Sequence, residues 1–367
     1  MRVGVNATFL GEKSTGVGVY ARKVSQAMAA LHSDTSVFSP VPIEGIPVEK
    51  TVRVPAVLQG SAKFGNNLQR LLYLTCILPM RCVMRGIDVL YCPITEFPFV
   101  PGSAQVSHIH DLHPLLFPEQ FGLASARFRL SLRFLRRSVR RVVVSSEHVK
   151  GQLLQLSVIP DERIDVVPLA CDTGLFRPEP AGRREALIEK YGLKGPYILF
   201  VGSLFPYKNL ETLVRAFLSA KARLAQSLVV VGRRELSPGP LAEDERIFYL
   251  DYVPSADLPL IYSFADLFVH PSKSEGFGLA PLEAMACGTP VIASRAASLP
   301  EVVGDAGILF DPADDEDLAR LLVRVLGDNT LRNELRERGF RQVRKFTWEK
   351  TARGILDSCE KALVKTT

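Results

Sequence analysis

Two carboxylates stand eight positions apart, Glu275 and Glu283, inside Ser272–Ser294, SKSEGFGLAPLEAMACGTPVIAS. The apolar run before this segment ends at His270 and helical spacing begins near Leu279, so a loop and the helix after it can aim both acids at one cleft. An ionised carboxylate is an acceptor only, which suits the hydroxyls of a sugar or a ribose. At the start of that helix the backbone N–H groups of Phe277, Gly278 and Leu279 lack intrahelical partners and offer a place to an anion. A second stretch, Phe200–Glu211 (FVGSLFPYKNLE), has an apolar run ending at Gly202, a loop containing Ser203, and Lys208 just before a helical pattern. A mobile cation beside the positive end of a helix is matched to a diphosphate. In Ser107–Pro114 (SHIHDLHP) three histidines and an aspartate follow another apolar run. Their spacing invites a metal reading of His108, His110, Asp111 and His113, but no second cluster of cysteine or carboxylate ligands accompanies them, and the expectation is no metal.

Three further features carry less specific chemistry. Gly16-x-Gly18-x-x-Ala21 formally fits a dinucleotide fingerprint, yet five residues separate it from Leu10 at the end of the first apolar run, and the next run lacks the terminal acid that a nicotinamide site needs. Ser125–Arg141 (SARFRLSLRFLRRSVRR) reads as a basic amphipathic helix, with Phe128, Leu132, Leu135 and Val139 on one stripe and Arg129, Arg133, Arg136 and Arg140 on the next. Arg127, Arg137 and Arg141 add to its charge, and such a helix suits an anionic membrane surface; no exposed aromatic platform accompanies it, so nucleic acid is not expected. Asp314–Asp317 (DDED) contains a D-x-D but precedes a helical pattern, where acids favour the helix dipole, and reads as a cap.

The elements that must position these residues follow from patterning. Short β-branched runs alternate with helical spacing along the whole chain, the sign of parallel sheets with crossover helices. Strands are expected at 3–9, 36–41, 88–92, 105–109, 141–145 and 164–167, then at 197–202, 227–231, 247–251, 267–270, 290–293 and 307–310. Asp172–Pro196, rich in proline, glycine and charge, lies between the two sets and marks a seam. The expected organisation is two Rossmann-like domains, 1–172 and 173–345, with an amphipathic helix over 346–367 crossing back to the first. In open α/β sheets ligands bind beyond the carboxyl ends of the strands, where all the motifs above fall.

Composition agrees with this. A length of 367 residues, 47% hydrophobic and 23% charged, is that of a globular protein of two domains. The net charge of +6 is mildly basic, and the six cysteines contain no C-x-x-C pair and read as reduced thiols. No targeting segment is expected at the start, and the most apolar stretch, Leu71–Met80, is interrupted by proline and too short to span a bilayer.

EGFGLAPLEAMACGTPVIAS resembles the E-x7-E signature of the retaining glycosyltransferases of family 4, which have the GT-B architecture of two Rossmann-like domains facing across a cleft. The resemblance covers most of the chain and is stronger from about Tyr197 onward. It implies that Glu275 lies at the donor sugar, that Glu283 holds the ribose, and that VGSLFPYKN with Lys208 grips the diphosphate. Many relatives carry a second basic residue in that loop; Ser203 and Tyr207 stand in the corresponding places, which implies either a weaker grip on the phosphates or its completion by an arginine such as Arg233. HDLHP resembles the family's H-D-L-x-P, which places His110 at the reacting centre, and Gly16 and Gly18 belong to a loop over the donor phosphates.

The expected activity is therefore retaining transfer of a hexose from a nucleotide-diphosphate sugar to a glycan or lipid-linked hydroxyl, without metal or other cofactor. Similarity of the motifs to bacterial mannosyl- and rhamnosyltransferases of surface polysaccharide favours GDP-mannose over a UDP-linked donor. The implied location is cytoplasmic, with peripheral attachment to the membrane's inner face. A sugar-nucleotide epimerase on the same fold and a non-catalytic peripheral adaptor are the alternatives.

Overall fold

The computed structural model describes residues 1–11, 16–56, 69–70, 72–99, 102–234, 239 and 241–364. Residues 12–15 of the glycine-rich loop and Leu71 of the apolar stretch lie outside them. The chain forms two compact units, one of Met1–Leu169 with Trp348–Thr367 and the other of Ala170–Thr347.

The first unit is built on seven strands, β1 (Val3–Asn6), β2 (Thr35–Ser39), β3 (Thr51–Arg53), β4 (Val89–Cys92), β5 (Ala104–Ile109), β6 (Arg141–Val144) and β7 (Ile164–Val166). They lie in the order β3-β2-β1-β4-β5-β6-β7, and every pair is parallel. A parallel sheet is covered on both faces, and its strands are accordingly near-continuous apolar runs rather than alternating ones. On one face Phe38, Leu90, Ile109 and Val142 join a core with Leu78, Leu132, Leu135, Val149 and Leu153 from helices. On the other, the Gly16–Leu31 helix buries Tyr20, Ala21, Val24 and Met28, and the Trp348–Leu363 helix buries Ala352, Ile355 and Cys359. Thr351 Oγ1 of that last helix donates to the Pro168 carbonyl at 2.8 Å.

The second unit holds β8 (Tyr197–Val201), β9 (Ser227–Val231), β10 (Ile247–Leu250), β11 (Leu267–His270), β12 (Val291–Ser294) and β13 (Ile308–Phe310). Their order is β10-β9-β8-β11-β12-β13, again all parallel. Its core gathers Ile198, Phe200, Leu228, Val269 and Ile292 from the sheet with Leu213, Phe217, Leu318 and Leu322 from helices. The strand order reverses between β1 and β4 in the first unit and between β8 and β11 in the second. Such switch points open a crevice at the carboxyl ends of the strands.

The α/β architecture read from the sequence stands, with three corrections. The first sheet has seven strands rather than six, because β3 is only Thr-Val-Arg and too short for periodicity to reveal. The basic helix spans Leu123–Ser138 and stops before Arg141, since Val139 is extended and Arg141 begins β6. The boundary between units falls after Leu169, and the proline-rich stretch beyond it contains the helix Arg184–Tyr191.

Candidate functional site

The loops that leave β8 and β11, the two strands flanking the second unit's switch point, bring Lys208 and Glu275 together. Lys208 Nζ lies 2.6 Å from Glu275 Oε1, and His270 Nε2 reaches the same oxygen at 2.7 Å. All three side chains are largely buried, with exposures of 15% for Lys208, 9% for Glu275 and 2% for His270. Burial alone would push the Glu275 carboxyl up, but Lys208 and His270 together more than reverse this and hold it below the usual carboxylate range. Burial lowers the basicity of His270, against the opposing pull of Glu275. The site therefore combines a lysine cation, a glutamate anion and a neutral imidazole.

Hydrogen bonds tie these loops to one another. Asn209, at φ +57°, turns the chain into the Leu210–Ala220 helix. Its Nδ2 donates to the carbonyls of Pro271 at 3.0 Å and Pro312 at 2.9 Å, which ties the exits of β8, β11 and β13 to one side chain. The Lys273 amide donates to the Tyr207 carbonyl at 2.8 Å, a second tie between the same loops. Ser298 Oγ donates to the carbonyls of Glu275 and Phe277 at 3.1 and 2.7 Å. Gly278 caps the Leu279–Ala286 helix at φ +107°, a conformation open to glycine, and a Cβ there would come within 2.8 Å of Leu299. The amides of Phe277, Gly278 and Leu279 thus lie at the start of a helix, where the sequence puts them.

Glu283, one turn into that helix, sits in different surroundings. Tyr262 donates to its Oε2 at 3.0 Å, and Cys171 and Cys287 are electrostatic neighbours. Burial pushes its carboxyl up to about 7, with the Tyr262 hydrogen bond pulling weakly the other way. Gly202 and Ser203 lead out of β8, and a Cβ on Gly232 at the end of β9 would collide with the Gly202 carbonyl oxygen, so the two exits touch. Arg233 follows Gly232 and is exposed.

The first unit carries the histidine cluster. His110 lies just beyond β5, and its Nε2 donates to the Pro93 carbonyl at 2.8 Å. Its ring stacks on His108 at 4.1 Å and meets Tyr20 edge-on at 4.6 Å. His108 is fully buried and bonded to Tyr20 at 2.7 Å, Tyr91 at 3.0 Å and Ser145 at 2.9 Å. Burial lowers the basicity of both histidines. Asp111 caps locally, accepting from the His113 amide at 3.0 Å. Among the described residues no group of three His, Cys, Asp or Glu side chains is arranged to hold a metal ion. Gly16 opens the first helix and Gly18 is buried within it.

Arg129, Arg133 and Arg136 are exposed on the Leu123–Ser138 helix, alongside Leu123 and Leu130 at 70% and 45% exposure. Arg140 is exposed too, but lies past the helix end, and Arg141 is paired with Asp165 at 2.6 Å. Among the described residues no helix is long and apolar enough to cross a membrane. Asp314 Oδ1 accepts from the Asp317 amide at 2.7 Å, so the DDED run caps the Asp315–Gly327 helix.

Sequence reasoning missed His270, Tyr262, Asn209 and Ser298. Only His270 left a signal, as a histidine closing a strand immediately before the acidic loop.

Comparison with known proteins gives the family. The model for glycosyl transferase 4-like domains matches residues 15–170, and that for group 1 glycosyl transferases matches residues 183–342. O-antigen chain mannosyltransferase B of Escherichia coli is 34% identical over 255 residues, covering 66% of this chain and 67% of that protein. The serotype-specific mannosyltransferase WbdA of the same species is 30% identical over 258 residues, 66% of this chain but only 32% of WbdA. Among solved structures, HepE of Anabaena in complex with UDP-glucose has a TM-score of 0.72 at 18% identity, covering 98% of this chain and 100% of that one. The chain belongs to the group 1, family 4-like glycosyltransferases and has the GT-B fold.

Proposed function

We propose that this hexosyltransferase moves mannose from GDP-mannose to a glycan or lipid-linked hydroxyl, with retention at the anomeric carbon and without a metal ion. The observation that carries the reading is the meeting of Lys208 and Glu275 at the second unit's switch point, with Glu283 one turn into the adjoining helix. The identity to two Escherichia coli mannosyltransferases supports mannose. UDP-glucose, the ligand in HepE, is the second donor to test.

In this reading Glu283 takes the ribose and Glu275 a hydroxyl of the donor sugar. Lys208, the amides of Phe277, Gly278 and Leu279, the Gly202–Ser203 turn and Arg233 receive the diphosphate. The acceptor oxygen attacks the anomeric carbon on the face that the nucleotide leaves; the bond to the diphosphate breaks, and a diphosphate oxygen takes the acceptor proton. Charge develops on the leaving group, so preorganised donors there contribute most, on the order of 10²–10³ in rate for each. His110 already gives its Nε2 proton to Pro93, so as a neutral ring it offers Nδ1 to a sugar hydroxyl as an acceptor. The arginine-rich helix of the first unit would rest on the anionic inner face of a membrane, close to a lipid-linked acceptor.

Thermal shift with GDP, GDP-mannose, UDP and UDP-glucose tests the donor. A ligand at 100 times its Kd stabilises by about 2.7 kcal/mol, and the rise is expected with the guanine pair. A rise with the uridine pair alone would replace the donor, and no rise at all would remove the site. Product NMR then reads the anomeric configuration in the presence of EDTA; an inverted product, or activity abolished by EDTA, would refute retention or metal independence respectively. Lys208→Ala and Glu275→Ala are expected to lower turnover more than tenfold.

A further inference from the structure

Glu275 has two carboxylate oxygens, and the structure uses only one of them. Oε1 takes both Lys208 Nζ and His270 Nε2, whereas Oε2 accepts no hydrogen bond among the described residues and is not one of their sealed, unpartnered polar atoms. His270 is itself unusual, because its Nδ1 is buried without a hydrogen-bond partner among the described residues. A buried polar atom left bare needs a reason. Here the reason is the tautomer. At 2.7 Å from an ionised oxygen, Nε2 must carry the ring's hydrogen, since two lone pairs would otherwise repel at that distance. A second proton on Nδ1 would be buried with no acceptor, beside the Lys208 cation. The ring is therefore a neutral donor to Glu275, with Ser272 Oγ a second and more distant neighbour of the same Nε2 at 3.3 Å.

We propose that His270 is a positioning residue for the glycosyl donor: it anchors Oε1 of Glu275 jointly with Lys208 and so presents Oε2 to the sugar. This rests on the reading that places Glu275 at the donor sugar. Two anchors on one oxygen have a mechanical consequence. When a diphosphate draws Lys208 Nζ toward itself, the imidazole keeps the carboxylate in place, and because it is uncharged it neither competes for the phosphate nor repels the lysine. Rigidity of the support adds to this, since His270 closes a fully buried strand and stacks on Phe268 with ring centroids 5.8 Å apart. Groups held this way present their hydrogen bonds without reorganisation when the ligand arrives.

Calorimetry on the full chain with GDP and GDP-mannose, and with UDP and UDP-glucose, separates this role from a merely structural one. His270→Phe keeps the ring and removes the donor; it is expected to weaken the sugar nucleotide at least tenfold while the nucleoside diphosphate stays within threefold. His270→Gln places an amide N–H at the same reach and is expected to recover most of the loss. Equal weakening of nucleotide and sugar nucleotide, or no weakening of either, would overturn the proposal. Wild-type protein that binds none of the four ligands would instead remove the donor reading itself, and the inference with it. Should the phenylalanine variant fail to fold, nitrogen-15 NMR of the wild type decides: the resonance missing in His270→Gln must report a neutral ring protonated at Nε2 between pH 6 and 8. A charged ring or the Nδ1–H tautomer would overturn the proposal.

Discussion

Glu275 and Glu283 share one loop-and-helix segment, yet their surroundings drive their titration in opposite directions. Glu275 is buried beside a cation and a donor imidazole and stays ionised; Glu283 is buried beside a phenol and two thiols and rises to about 7. The second acid therefore weighs on the ligand-free fold. A carboxyl raised from 4.5 in the unfolded chain to about 7 in the folded one stabilises the fold fully below the lower value. That contribution is lost as pH climbs through the higher value, and 1.4 kcal/mol per unit makes it about 3 kcal/mol. Glu283→Gln keeps an acceptor for Tyr262 and carries no charge. Its melting temperature is expected to match wild type near pH 5 and exceed it by several degrees at pH 8, while nucleotide affinity falls at least tenfold. Equal melting temperatures at pH 8 would show that the ionised carboxylate costs the fold nothing. The types and spacing of both acids were legible in the sequence. Their partners were not, because Lys208 lies 67 residues from Glu275, and Tyr262 lies 21 from Glu283 on another helix.

At the scale of elements, the readable parts were those that repeat a pattern over enough residues. Buried parallel strands are unbroken apolar runs, and all but one of them announced themselves in that way. β3 did not, having three residues at a sheet edge. The loops were legible only as glycine, proline and charge; what fixes them is long-range, as with Asn209, whose single amide holds carbonyls 62 and 103 residues away. The basic helix was legible in its periodicity but misjudged at its end, where Arg163 donates to the carbonyls of Arg136, Val139 and Arg140 and closes the helix early. Arg129, Arg133 and Arg136 stay on the helix and exposed, so they are the ones to test. Each basic residue near an anionic bilayer adds about 1 kcal/mol. Changing all three to Gln is expected to weaken binding to phosphatidylglycerol vesicles at least tenfold, and wild-type binding is expected to fall as salt shortens the screening length. Vesicle binding that ignores both changes would show that this helix simply covers the sheet.

The molecule as a whole is two units threaded by one chain that leaves the first at Leu169 and returns to it at Trp348. Each unit has its own parallel sheet and its own core, and Lys208, Glu275, His270 and Glu283 all belong to the second. The returning helix, by contrast, completes the first. Ile355 is fully buried there, and Gly354 lies so close to Val167 that a Cβ would come within 3.0 Å of it. Removing a buried side chain of this size costs about 2–5 kcal/mol. For units of this length each kcal/mol shifts the melting temperature by about 2–4 °C. Ile355→Ala is therefore expected to lower one calorimetric transition by several degrees and leave the other in place. Hydrogen exchange should quicken across β4–β6 and the Gly16–Leu31 helix, the elements that the returning helix covers, and remain slow in β8, β9, β11 and β12. On the proposed reading the increment in stability that a nucleotide brings should survive unchanged, because Lys208, Glu275 and Glu283 all lie in the second unit. If exchange quickens equally in both sheets, the two units unfold as one cooperative body, and a mutation in the returning helix would then act on the proposed donor site through global stability alone.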